Sequence, residues 1–180
     1  MRAALPRQGD VMTSTMQEHD EPQHLVQVLR DFDSAILVTR TPNGDLRGRP
    51  MALAEVKADG DIYFATSLSN DTVSEIEAEP RVVVTVQGKL KFASVSGHAH
   101  VMRDKALIQK LWREGWKLWF PEGPSDPNLC LIKFDAAEGE YWDASGAHGI
   151  RFAVRAAKAY VRGERLDNKD NRDNAKVKLR

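Results

Sequence analysis

SAILVTRTPNGDLRGRPMALAEV, residues 34–56, sets two runs of β-favouring residues on either side of Asn43-Gly44. That dipeptide supplies the positive φ angles of a tight hairpin turn, so the two runs read as antiparallel neighbours and argue against a βαβ unit. If the second run is a regular strand, Arg47, Arg49 and Met51 share one face and Gly48 and Pro50 share the other. Two arginines on one face of a half-buried strand require either an anion or solvent. Pro50 cannot donate a ladder hydrogen bond, which places it at an edge, at a bulge or where the backbone meets a ligand.

The neighbouring segments extend the same pattern. Upstream, PQHLVQVLRDF (22–32) spaces Leu25, Val28, Leu29 and Phe32 as one face of an amphipathic helix. Downstream, the turn ADGD (58–61) leads into the short strand IYFAT, and TVSEIEAEP then reads as a short helix stopped before Pro80. Thr72-Val73-Ser74-Glu75 has the form of a capping box that would start this helix. RVVVTVQ and LKFASVSGHAHVM, separated at Gly88, read as a second long antiparallel pair. DKALIQKLWREGW (104–116) is expected to be a helix ended by the Pro/Gly/Asp-rich segment 120–128, after which NLCLIKF and GEYWD give two further strands. Residues 150–161, IRFAVRAAKAYV, are alanine-rich and read as helical. Six or seven strands, mostly hairpin-connected, make the chain mainly β: an antiparallel β-barrel with peripheral helices.

The bulk properties bound the class. In 180 residues, 42% hydrophobic and 29% charged content is ordinary for a globular domain. No apolar run reaches the ~18 residues of a membrane span, so no membrane partner is expected. The expected organisation is a disordered leader over 1–20, one domain over 21–162 and a basic, partly disordered tail over 163–180. Residues 151–180 hold ten Lys/Arg and four Asp/Glu, a net of +6 that leaves −6 on residues 1–150. This basic end lacks interleaved aromatic residues after Tyr160, and nucleic acid is not expected as a partner. The single cysteine, Cys130, lies in a strand-like run and fits a core position in a reducing, cytoplasmic protein.

Few residues declare chemistry of their own. No nucleophile motif, Walker loop or strand-linked G-x-G-x-x-G is present, and no catalytic residue is assigned. His98 and His100 would face the same way on a strand, but further metal ligands are not evident and no metal site is assigned. Trp112, Trp116 and Trp119 fall at helical spacing. They form either a face packed on the barrel or a lid over a flat aromatic ligand. FATSLSNDTVSEI (64–76) runs from a strand through hydroxyl side chains into a helix start, as anion-binding loops do, yet it contains no Lys or Arg.

Taken together, RPM at 49–51, FATS at 64–67, the helix closing in AEP at 78–80, SVSGHAHV at 94–101, LWREGWKLWFPEGPSDPNL at 111–129 and EYWD at 140–143 resemble the FMN-binding split-barrel proteins. These are related to pyridoxamine 5′-phosphate oxidase, and the resemblance is to their general stress protein group. It implies a six-stranded antiparallel split barrel of the FMN-binding type, forming a homodimer with cofactor sites at the subunit interface. The implied cofactor is FMN, with FAD as an alternative. The implied cofactor-binding residues are Arg49, Pro50 and Met51 beside the isoalloxazine ring, Thr66 and Ser67 by the ring or ribityl phosphate, Ser69 and Thr72 at the phosphate, and Trp142. Oxidases of the parent family carry adjacent basic residues where this chain has Asp71 and Thr72, so true pyridoxamine phosphate oxidation is not expected. The implied function is a flavin-binding stress protein, possible as a flavin-dependent oxidoreductase. The alternative is a non-catalytic barrel binding flavin weakly, or haem.

Overall fold

The computed structural model describes residues 21–145, residue 162 and residues 174–179. Helix α1 covers 21–30, and its buried Leu25, Val28 and Leu29 form the inward stripe that the spacing anticipates. Strands β1 (Ser34–Arg40), β2 (Leu46–Val56) and β3 (Ile62–Ser67) precede helix α2 (Asp71–Ala78). Strands β4 (Arg81–Gln87) and β5 (Lys91–Met102), helix α3 (Lys105–Leu111), strand β6 (Leu129–Asp143) and strand β7 (Asn174–Lys178) follow. The sheet order is β3-β2-β1-β4-β5-β6-β7, every pairing is antiparallel, and β3 also pairs with β6. That pairing closes six strands into the anticipated barrel. The segment 150–161, expected to be helical, lies outside the described residues.

Both β1–β2 and β2–β3 turn by one device. Gly44 N–H donates to Thr41 and Thr41 N–H to Asp45, while Gly60 donates to Lys57 and Lys57 to Asp61. Gly44 (φ 90°) and Gly60 (φ 88°) are left-handed, whereas Asn43 is not, so each turn takes its only positive φ at the glycine. The loop is therefore a turn followed by a glycine bulge, and the two-residue Asn-Gly turn is not formed.

The two strands expected from NLCLIKF and GEYWD are one. β6 runs unbroken for 15 residues and carries its irregularity as a bulge at Ala137: Ser96 pairs with Glu138 and Gly97 with Ala136, so one step on β5 matches two on β6. A Cβ at Gly97 would stand 2.1 Å from the Asp135 carbonyl oxygen, so this close approach requires glycine. The first half of β6 pairs with β3, and its second half, Glu138–Trp142, pairs with β7. Within the basic segment 163–180, β7 is thus a strand whose Val177 is buried in the core.

The expected 104–116 helix is also divided. Asp104 caps α3 by accepting from Leu107 N–H at 3.0 Å, and the helix ends at Trp112, whose ψ of 136° is extended. A separate 3-10 turn covers Glu114–Leu118. Ile108, Leu111, Trp116 and Phe120 pack with Tyr63, Leu129 and Leu131 in a second apolar cluster outside the barrel. The main cluster fills the barrel, where Phe64, Phe134, Leu37 and Val84 are fully buried. Each such side chain contributes roughly 1.5–3 kcal/mol by leaving water. Among the described residues, no helix is long and apolar enough to cross a membrane.

Candidate functional site

The β2–β3 pairing stops short, and this opens the barrel. It runs from Val56↔Ile62 to Leu53↔Phe64 with a bulge, and no partner on β3 is recorded for residues 46–52. On its other side β2 stays paired to β1 from Leu46 to Ala52. Thr66 and Ser67 meanwhile turn to β6, opposite Cys130 and Leu129. The backbone of residues 50–52 and that of 65–67 therefore flank a seam with polar main-chain groups on both sides. Pro50 lies on this unpaired stretch, where its missing N–H costs no ladder bond. Met51 is buried beneath it.

Beyond the seam, the hydroxyl loop joins β3 to α2. Ser67 Oγ and Ser69 Oγ are 2.9 Å apart, and Ser69 N–H donates to Ser67 Oγ. Asn70 is the N-cap, its Oδ1 accepting from Thr72 N–H at 3.0 Å. The capping box read at Thr72–Glu75 does not form: Thr72 lies two residues past the cap, inside the helix and buried. Its Oγ1 is buried with no hydrogen-bond partner among the described residues.

Glu75 turns inward and defines the electrostatics of this end. Its carboxylate accepts from Arg49 Nη1 at 2.6 Å and Nη2 at 2.8 Å, and from the Thr39 hydroxyl at 2.6 Å. Arg47 approaches to 3.8 Å. The Glu75 side chain is only 3% exposed and that of Arg49 is 19% exposed. The Arg49 guanidinium holds the Glu75 carboxyl below the ordinary carboxylate range, and the same hydrogen bonds raise Arg49. Thr39 is not marked by the sequence, and Glu75 is read there only as the capping-box partner of Thr72. The available signal was position, since Glu75 falls between buried Val73 and Ile76 on the inward face of α2.

The residues implied to bind the cofactor thus separate into two groups. Arg49, Pro50, Met51, Thr66, Ser67, Ser69 and Thr72 all belong to the seam and the α2 entrance. Trp142 lies apart from them at the end of β6, opposite Phe92 of β5 and Asn174 of β7 and beyond the 129–134 stretch that pairs with β3. It stands beside Phe92 on the outer face, and both are more than a third exposed.

That outer face is notable in its centre. Pro50, Ile36, Thr85 and Ser94 align in one row across the strands, and Gly48, Val38, Val83 and Ser96 in the next. A groove of about 540 Å³ crosses it, lined among others by Val38, Leu46, Val83, Ser96 and Glu138. Apolar and small side chains occupy the middle, while Arg40, Arg81, Glu138 and Lys178 stand at the margins.

Other candidates from the sequence have plain roles. Cys130 is fully buried, donates to the Thr66 carbonyl, and burial pushes its thiol up to about 11. His98 is exposed, and His100 Nδ1 lies 3.1 Å from Asp135. Of the three tryptophans, Trp116 packs into the outer cluster and meets Trp112 edge-on at 5.8 Å, while Trp119 is 68% exposed. Trp116 and Trp112 follow the packed-face reading; Trp119 does not.

The closed six-stranded barrel with its open seam is the split barrel found in FMN-binding proteins. The chain belongs to the pyridoxamine 5′-phosphate oxidase-like family, whose model matches residues 20–167. A candidate general stress protein 26 from Jannaschia sp. CCS1 is 28% identical, with 89% of this chain and 99% of that chain covered and a TM-score of 0.68. The general stress FMN/FAD binding protein of Xanthomonas citri is also 28% identical, covering 71% of this chain and 92% of its own at a TM-score of 0.60. Protein bli-3 of Neurospora crassa is 26% identical over 119 residues, 59% of this chain; the match spans 57% of bli-3.

Proposed function

We propose that this is a dimeric, FMN-binding protein of the general stress type, with flavin-dependent oxidoreductase activity on a substrate still to be named. The observation that carries the reading is the seam. Main-chain donors and acceptors at 50–52 and 65–67 suit the polar edge of a flat heterocycle, and Met51 offers an apolar surface beside it. The hydroxyls of Ser67 and Ser69 and the α2 entrance with its unpartnered Thr72 Oγ1 suit the ribityl phosphate. The residues present therefore fit the cofactor. A bound flavin supplies the redox chemistry itself; the chain holds the ring, orients it and excludes water.

The proposed partner is a second copy of the chain, packed on the outer face. An apolar centre with charged margins has the anatomy of an interface. Trp142 stands on this same outer face beside Phe92, where a second protomer packing there would cover it. The named general stress and FMN/FAD binding relatives support the same reading by their similarity.

The test is direct. Protein as purified should show flavin absorbance, and FMN fluorescence should be quenched on adding the apoprotein. Asp71→Lys places a cation at the α2 entrance and should tighten FMN binding severalfold. Unchanged affinity in that variant would move the phosphate away from this loop, and absence of any flavin binding would favour the non-catalytic barrel.

A further inference from the structure

Arg49 is a cation on the strand that flanks the proposed flavin seam, and it is already engaged. Both of its terminal nitrogens donate to the two oxygens of Glu75, at 2.6 and 2.8 Å, and Nη1 also donates to Thr39 Oγ1 at 2.9 Å. Arg47 leans on the same carboxylate. Asp71, in the first turn of the same helix, lies one turn before Glu75. Two arginines are therefore matched by two carboxylates around the α2 end, and the local formal charge is zero.

This balance has a consequence for ligand choice. A phosphate dianion gains most from an arginine whose fork is open to it, because bidentate charge-assisted hydrogen bonds are about twice as strong as neutral ones. Here the fork faces a buried carboxylate, and a phosphate approaching it also meets that carboxylate's negative charge. The ring and ribityl portions of a flavin feel neither effect.

We infer that Glu75 is a specificity-determining residue of the flavin site: by occupying Arg49 it withholds the fork from the phosphate and leaves the site only weakly selective for phosphorylated over unphosphorylated flavins. The inference rests on the flavin site proposed above. It deepens that reading by naming the ligand class as flavins in general, with riboflavin bound nearly as well as FMN.

The experiment compares riboflavin and FMN by fluorescence titration of the full-length protein and of Glu75→Gln, which keeps the shape and an acceptor for Thr39 but removes the charge. In the wild type the two dissociation constants should agree within about tenfold, the equivalent of ~1.4 kcal/mol. In Glu75→Gln the FMN constant should fall about tenfold, the scale of one added charge-assisted hydrogen bond, with riboflavin unchanged. FMN and riboflavin shifting together, or FMN alone weakening, would overturn the inference, since Glu75 would then be orienting Arg49 and not restraining it. If Glu75→Gln does not fold by circular dichroism, the wild-type ratio decides: a preference for FMN above about a hundredfold shows the fork available to phosphate and overturns it. A wild type that binds neither flavin overturns the site proposal along with this one, whereas binding of both without discrimination supports the two together.

Discussion

Helix α2 carries two arginine–glutamate forks, one at Glu75 within it and one at its C-cap Glu79, of nearly equal geometry and unequal consequence. At Glu75 the partner is Arg49, with contacts of 2.6 and 2.8 Å; at Glu79, the C-cap, it is Arg81, with contacts of 2.8 and 2.7 Å. The Arg81 side chain is 72% exposed and that of Glu79 is 26% exposed, against 19% and 3% in the first pair. Their spacing in the chain differs as sharply: 26 residues separate Arg49 from Glu75 and two separate Glu79 from Arg81. The first fork exists only when β2 and α2 have come together, so it reports and secures tertiary structure. The second joins neighbours that remain close even in the unfolded chain, and folding adds little to it.

Breaking the buried fork should produce the largest effect. Glu75→Ala leaves Arg49 half-buried without its carboxylate and removes the acceptor of the Thr39 hydroxyl. Removing one partner of a buried pair costs about 3–5 kcal/mol, because the remaining charge stays desolvated. Urea titration should show a lower midpoint with an unchanged slope. A loss confined to a few tenths of a kcal/mol would mean that Arg49 swings out to water and that the fork secures nothing.

Acid should dissect the same pair without a cavity. Glu75 is held below the ordinary carboxylate range in the folded state, first by the Arg49 hydrogen bond. A depressed native pKa contributes stability that is complete above the unfolded value of about 4.3 and is lost as pH falls through the native value. Wild-type stability should therefore decline below about pH 4, with part of that decline absent in Glu75→Gln. Glu79, although pushed down to about 2 by Arg81, should contribute little to the slope, since Arg81 sits beside it in the unfolded chain too. Parallel acid profiles for wild type and Glu75→Gln would show that the buried pair carries no proton linkage.

The same contrast between local and distant partners explains which features the sequence made legible. Strand runs, turn glycines and the inward stripe of α1 are local patterns, and the barrel follows from them because hairpin-linked strands have few ways to close. The resemblance at 49–51 and 64–67 marks the two stretches that flank the seam. What stayed hidden depends on partners far along the chain. Glu75 three residues after Thr72 matches a capping box, and nothing local announces that Arg49 will claim the carboxylate and Asn70 the cap. The continuity of β6 past Asp135 depends on Gly97 yielding on the facing strand. β7 is hidden in a run of charged residues because, among residues 175–178, only Val177 is buried. Trp142, placed with the cofactor by resemblance, sits at the end of β6 between β5 and β7, a placement visible only once the strand pairings are known.

The smallest effect belongs to the exposed fork, and it is the sharper test of the comparison. Glu79→Ala removes both contacts to Arg81 along with the acceptor for the Arg81 backbone N–H at 3.2 Å. The released guanidinium is already mostly in water, so no desolvated charge is left behind, and that N–H can take a water in place of the carboxylate. Salt screens what remains of the attraction, and the C-cap bond from Glu79 N–H to Glu75 C=O uses no side-chain atom. The urea midpoint of Glu79→Ala should therefore coincide with that of the wild type at moderate salt. Were it to fall as far as in Glu75→Ala, burial would not be what separates the two forks, and the closure of α2 onto the barrel would have to be credited to its C-terminus.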